Sequence, residues 1–154
     1  MCNKISIREL REGDIKEVVR LHEMTSPWYN IDEEAIKTYI EMVQYKTIGL
    51  YEGATLCGII IIMVIGEEAD IIFIEVARSY RRRGYGTGMI KWIISEYSLG
   101  EIFLEVNERN NAAIQFYKAI GFYAIDNRRG YYKGGDGILM KYVSRETPYR
   151  PTLL

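Results

Sequence analysis

Three things are scarce in this chain of 154 residues: excess charge of either sign, a long apolar run, and cysteine. Twenty basic residues face twenty-one acidic ones, giving a formal net charge of -1 and an isoelectric point near 5.9. No global positive field is present, which excludes a protein held to nucleic acid or to an anionic membrane by charge alone, so any anion site must be local. The longest apolar run, LCGIIIIMVI from Leu56 to Ile65, is well short of the roughly 18–20 residues a spanning helix needs, and MCNKISIREL at the N-terminus lacks a signal-type apolar core. A cytoplasmic protein is expected. Cys2 and Cys57 are far apart and lack metal-ligand spacing, so no metal is expected; Cys57, inside the apolar run, reads as a small buried hydrophobe. A covalent route through Cys57 would also lack a partner base. The only histidine, His22, reads as a helix-surface residue.

What is present fits one domain, with neither repeat nor linker. Its expected extent is 1–143, followed by a loose tail over 144–154 with Pro148 and Pro151. SIREL reads as a strand, and Asp14 is placed to cap a helix carrying Ile15, Val18, Val19 and His22. After the loop TSPWYN, Asp32 is placed to cap a second helix, with Ile31 and Ile36 spaced for a hydrophobic staple. The β-branched stretch TIGLYEGATLCGIIIIMVI, interrupted by Glu52-Gly53-Ala54, predicts a hairpin whose second arm is buried on both faces. A turn GEEAD leads to the strand IIFIEVA, and Ile90, Ile93, Ile94 and Tyr97 predict a helix closed by Gly100. EIFLEV is a strand; NAAIQFYKAIGF is a helix led by Asn110 or Asn111 and stopped by Gly121. Strands at Tyr123–Ile125 and GILMKYV then flank a loop rich in arginine, tyrosine and glycine.

This order predicts an α/β (α+β) fold: a single mixed, mostly antiparallel sheet with a central parallel strand-helix-strand unit and helices on both faces. Ligands in such sheets sit at the C-terminal ends of the parallel strands, where RSYRRRGYGTGMIKW falls, Arg78 to Trp92. A strand that enters a helix through a glycine-rich turn leaves several backbone N–H groups aimed at one point, which suits a phosphate. Glycines at 84 and 86 allow close approach, and the arginines add charge-assisted hydrogen bonds. A Walker loop is excluded because no Gly-Lys-Ser/Thr follows, and a dinucleotide fingerprint from Gly84 is excluded by Met89.

RRRGYG, Arg81 to Gly86, resembles the Arg/Gln-x-x-Gly-x-Gly/Ala signature of the GNAT N-acetyltransferases. LEVNERNNAAIQFYKAIGF, Leu104 to Phe122, is similar to the second half of that fold, and the resemblance spans residues 5 to 143. Asn110, Ala113, Ile114 and Tyr117, with NRRGYY at Asn127 to Tyr132 and PWYN at Pro27 to Asn30, resemble the ribosomal-protein-alanine and archaeal protein N-terminal acetyltransferase branch. Two positions depart from its bacterial members: Glu75, usually small or apolar there, and the turn NER at Asn107 to Arg109.

The resemblance implies an acetyl-coenzyme A-dependent enzyme that acetylates a protein N-terminus, with no metal. Ile74, Glu75 and Val76 would present backbone groups to the pantetheine and acetyl carbonyl; Arg81, Arg82, Arg83, Gly84, Tyr85, Gly86 and Thr87 would cradle the pyrophosphate, and Asn110 would contact the cofactor further along. Glu105 matches the general base and Tyr117 the general acid. Glu75 is a rival base, Glu105 also fits a surface position at a sheet edge, and Tyr117 also fits a core aromatic beside Phe116. Pro27, Trp28, Tyr29, Tyr131 and Tyr132 would meet a peptide acceptor. Nucleic acid and membrane are not expected partners, and the chain is expected to be a monomer or homodimer. Lysine side chains, small amines such as polyamines or aminoglycosides, and a non-catalytic acyl-coenzyme A module are the other readings.

Overall fold

A short edge strand followed by two amphipathic helices opens the chain. In the computed structural model, which describes residues 2–25 and 31–145, these are β1 (Ile5–Glu9), α1 (Ile15–Glu23) and α2 (Glu33–Glu41). Then come β2 (Tyr45–Glu52), β3 (Thr55–Ile65), β4 (Glu68–Val76), α3 (Tyr85–Glu96), β5 (Glu101–Asn107), α4 (Asn111–Ile120), β6 (Tyr123–Tyr132) and β7 (Gly135–Val143). The strands form one mostly antiparallel sheet of seven, in the order β1-β2-β3-β4-β5-β7-β6, with one parallel pair. The fold class is the one the order of elements implies.

The chain divides into two compact units. The first comprises residues 1–65 and 71–92. In it β1 pairs antiparallel with β2, Ile5 opposite Glu52, and β2 with β3, Glu52 opposite Thr55. Strand β3 is buried from Leu56 to Ile62, as expected of an arm covered on both faces. Ile59 and Ile61 share a core cluster with Val18 and Leu21 of α1, Ile36 of α2 and Phe73 of β4. The other face meets α3 at Gly58. A Cβ there would lie 3.0 Å from both the Glu75 carbonyl oxygen and Met89 Cε, so only glycine admits this approach.

The second unit comprises residues 66–70 and 93–154. Here β5 pairs antiparallel with β7, Glu105 opposite Leu139, and β7 with β6. Ile102, Leu104 and Val106 of β5 are buried, as are Ile114 and Tyr117 of α4, Phe122 and Met140.

Local chemistry departs from expectation at four places. Asp14 does not cap α1 with its side chain; its carboxylate takes both guanidinium nitrogens of Arg8, each at 3.0 Å, and the Arg11 N–H at 2.8 Å. Asp32 does cap α2, accepting from Ala35 N–H at 2.8 Å. The turn before β4 is only Gly66-Glu67, since Glu68 to Asp70 already belong to the strand. Gly100 does not close α3. Ser98 takes the left-handed conformation at φ 51°, with Leu99 N–H donating to Ile94 C=O at 3.0 Å, while Gly100 N–H donates to Glu67 C=O at 2.7 Å. Finally, the Arg/Tyr/Gly stretch expected as a loop is strand: β6 runs to Tyr132 with two register shifts against β7. Ser144 is buried and its N–H donates to Gly100 C=O at 2.8 Å; the tail from 146 lies outside the described residues.

Candidate active site

In the first unit, β4 ends at Val76 and the chain passes through a single 3-10 turn, Arg78–Tyr80, before α3. Arg82 and Gly84 both take left-handed backbone, φ 62° and 79°. The first helical hydrogen bond of α3 runs from Gly88 N–H to Gly84 C=O at 2.9 Å. The N–H groups of Tyr85, Gly86 and Thr87 therefore have no acceptor within the helix. The residue before the helix, Gly84, has no side chain to cap them, and a Cβ at that position would meet nothing within 4 Å. The positive end of the helix dipole thus opens on free space, as an anion requires.

The three arginines divide their work. Arg81 anchors the turn: its Nε donates to Val76 C=O at 3.0 Å and its Nη2 to Thr25 C=O at 3.4 Å. Arg83 pairs with Glu52 at 3.3 Å and lies over the Tyr80 ring, 5.1 Å from its centroid. Tyr85 donates its hydroxyl to the same Glu52 oxygen at 2.7 Å, which pushes its phenol up from the ordinary value. Arg82 makes no side-chain hydrogen bond or ion pair among the described residues and is the arginine left for a ligand. Glu52, which holds Arg83 and Tyr85 together, was not legible as a site residue because it lies 31 residues from Arg83.

His22 is a correction to the surface reading. It is 4% exposed, its Nδ1 lies 3.1 and 3.2 Å from the two carboxylate oxygens of Glu75, and its Nε2 accepts the Ile31 N–H at 3.0 Å. An Nε2 that accepts carries no proton, so Nδ1–H donates to Glu75 and the ring is the neutral tautomer. Its edge packs on Phe73, 5.2 Å between centroids. The end of α1, the start of α2 and β4 are thereby tied through one imidazole. The Glu75 side chain belongs to this buried network, and its backbone is the next-to-last residue of β4.

In the second unit, Glu105 of β5 has a side chain 18% exposed. Its Oε1 is 2.8 Å from Arg128 Nη1 on β6, while Oε2 is buried and has no hydrogen-bond partner among the described residues. Tyr131 lies near the same carboxylate, whose charge first, and then burial, push the phenol up. Tyr131 and Tyr132 pack edge to face at 4.9 Å, and Arg128 lies 5.6 Å from the Tyr131 ring centroid. Burial and then the Glu105 charge push the Asp70 carboxyl up as well.

Tyr117 is 8% exposed and packs against Phe116 and Phe122, at 5.2 and 5.6 Å between centroids. Asn110 caps α4, its Oδ1 accepting Ala113 N–H at 3.2 Å, which leaves its amide NH2 for other uses. Pro27, Trp28 and Tyr29 lie outside the described residues. Among the described residues no group of three His, Cys, Asp or Glu is placed to hold a metal ion, and no helix is long and apolar enough to cross a membrane.

A mixed sheet with an open anion-binding helix start after one strand, and a carboxylate and a phenol on the next strand and helix, has the makings of an acyltransferase of the coenzyme A-dependent class. The family model described as the acetyltransferase (GNAT) family matches residues 15–122, and the chain belongs to that family. The [ribosomal protein bS18]-alanine N-acetyltransferase of Escherichia coli (strain K12) is 31% identical over 97 residues, 61% of this chain and 66% of that protein; the chain spans about two thirds of the length of this relative. An N-alpha-acetyltransferase of Saccharolobus solfataricus is 24% identical over 146 residues, covering 85% of this chain and 87% of its own. Among solved structures, the ribosomal-protein-S18-alanine N-acetyltransferase of Escherichia coli superposes with a TM-score of 0.81 at 23% identity, covering 95% of this chain and 100% of its own.

Proposed function

We propose that this protein transfers an acetyl group from acetyl-coenzyme A to the α-amino group at the N-terminus of a protein, by direct attack in a ternary complex. The observation that carries the donor half is the open start of α3, where three unpaired N–H groups, left-handed Gly84 and unpartnered Arg82 suit a pyrophosphate. Arg81, Arg83 and Tyr85 hold that turn in shape through Val76 and Glu52. Acetyl-coenzyme A, when bound, supplies an acetyl group activated as a thioester. The backbone of Ile74 to Val76 is proposed to line the pantetheine, with the Val76 N–H as donor to the carbonyl oxygen that becomes charged.

Glu105 is proposed to take the proton of the attacking amine, and Tyr117 to return one to the departing sulfur. Among amines, an α-amino group has a pKa of about 8 and lysine about 10.4, so deprotonation at pH 7 costs about 1.4 against 4.6 kcal/mol. The α-amine is the easier nucleophile. The exposed Tyr131 beside Tyr132 supports a peptide acceptor, as do the names of two relatives, a [ribosomal protein bS18]-alanine N-acetyltransferase and an N-alpha-acetyltransferase. From the sequence alone, Pro27, Trp28 and Tyr29 are proposed to meet the same peptide, and a cytoplasmic location belongs to the same reading.

The test is incubation with acetyl-coenzyme A and a peptide library, comparing free with blocked N-termini by mass spectrometry. Acetylation of free N-termini alone is expected. Transfer only to lysine side chains or small amines would overturn the acceptor, and coenzyme A uptake without transfer to any amine would make the protein a binding module.

A further inference from the structure

Asp70 stands outside every role assigned so far, yet the second unit brings it to Glu105. The Glu67 carbonyl oxygen accepts from Gly100 N–H at 2.7 Å and from Glu101 N–H at 3.3 Å. That junction sets the register of β4 beside β5, so three residues further along Asp70 comes level with Phe103 and Leu104. Asp70 and Glu105 are both half-buried, on the same face as Phe103, while Ala69 and Leu104 point to the buried face. Charges nearby do not balance. Arg128 takes Glu105 Oε1 at 2.8 Å, and Lys141, the next cation along that face, is held by Glu101 at 3.0 Å. Asp70 makes no ion pair among the described residues, and Glu105 Oε2 is buried without a partner. Two carboxylates, one cation and one unsatisfied buried oxygen leave a place for a second cation able to donate hydrogen bonds.

We infer that Asp70 is a second carboxylate of the acceptor site, which together with Glu105 Oε2 receives the incoming α-ammonium group while Arg128 holds Oε1 and aims the free oxygen. An ammonium group has three N–H donors in a compact head, enough to satisfy both carboxylates at once. The raised Asp70 carboxyl is what burial and a neighbouring negative charge produce before such a cation arrives. Resting on the proposed acetyl transfer, the step balances as follows. Two protons leave the ammonium nitrogen, one to the carboxylate pair before attack and one as the N–C bond forms and the C–S bond breaks; sulfur takes a proton from Tyr117, whose phenol is restored through solvent by one of the two, and the other is released to solvent. Arg128 is then a positioning residue and Asp70 touches the substrate.

The experiment uses the full chain, an alanine-initiated peptide and the same peptide lacking its α-amine. The wild type is expected to bind the free-amine peptide more tightly than the desamino one. Asp70→Asn is expected to abolish that preference and to lower kcat/KM at least about tenfold, leaving coenzyme A affinity by calorimetry within about twofold. Asp70→Glu should recover part of the preference, which a merely structural role would not produce. Should Asp70→Asn fail to fold, Asp70→Ser is measured in its place. An Asp70 variant that keeps wild-type kcat/KM and the wild-type amine preference overturns the assignment. The binding comparison needs no turnover, so it decides the role of Asp70 even if the wild type acetylates nothing, an outcome that would sink the proposed function instead.

Discussion

At the scale of single residues, the side chains proposed for proton transfer make the sharpest commitments. Glu105→Gln keeps an acceptor for Arg128 but cannot take a proton, and Tyr117→Phe keeps the ring contacts with Phe116 and Phe122 but loses the hydroxyl. Each is expected to lower kcat by about 100-fold or more while calorimetry finds coenzyme A affinity nearly unchanged. Wild-type turnover in both variants would remove the acid and base assignments. His22 makes a different commitment, to stability. Replacing it by Phe takes the donor from Glu75 and the acceptor from the Ile31 N–H inside the core, so urea denaturation should show a loss of about 3 kcal/mol. Glu75→Gln, whose amide oxygen still accepts from Nδ1–H, should cost about 1 kcal/mol. Glu105 and Tyr117 could be singled out because their twelve-residue spacing and flanking motif are local, and their proton-transfer roles are proposed. His22 was misread because its partner lies 53 residues away, and nothing on its own helix advertises that contact.

At the scale of elements, helix ends and hairpins separate what local chemistry announces from what pairing decides. Asp32, Asn110 and Gly121 announce their helix ends, and the structure uses all three there. Gly100 looked like the stop signal of α3, yet the left-handed position fell to Ser98, because Gly100 is drawn to the Glu67 carbonyl of the neighbouring turn. Ser98→Gly removes the Cβ penalty of φ 51° and should raise stability by about 0.5–1 kcal/mol in a denaturant titration; a loss would mean that the serine side chain does more than cap. Strand β6 was read only over Tyr123–Ile125, and its continuation to Tyr132 was missed for another reason. It is exposed from Tyr123 to Tyr131, so it shows no alternation, and only backbone pairing with β7 makes it a strand. The start of α3 was legible, because glycine and arginine at a strand-to-helix junction state their chemistry locally. Gly84→Ala strains φ 79° by about 1 kcal/mol and intrudes on the anion position, so the protein should stay folded while coenzyme A affinity falls at least about tenfold by calorimetry.

Across the whole molecule, near-neutral net charge hides two carboxylates with opposite effects on stability. The Arg8 guanidinium, through its hydrogen bonds, holds the Asp14 carboxyl below the ordinary carboxylate range. Its contribution is present above the unfolded pKa of about 3.9 and is lost as pH falls through the lower native value; with Arg8 about half exposed, it amounts to at most about 1 kcal/mol. Asp70 has the reverse sign. Burial and the Glu105 charge raise its native pKa, so its contribution is fully present below about 3.9 and is lost as pH rises through the raised value. The ionised form of Asp70 therefore destabilises the fold, as expected where a charge is kept for a ligand and not for structure. Asp70→Asn should accordingly raise Tm at pH 7, and the gain should shrink as pH is lowered and wild-type Asp70 takes up its proton. Asp14→Asn should lower Tm at pH 7, with a loss that fades over more acidic pH. Thermal scans of the three proteins from pH 8 to pH 2 separate these cases, and an Asp70→Asn variant less stable than wild type at pH 7 would mean that Asp70 serves the fold.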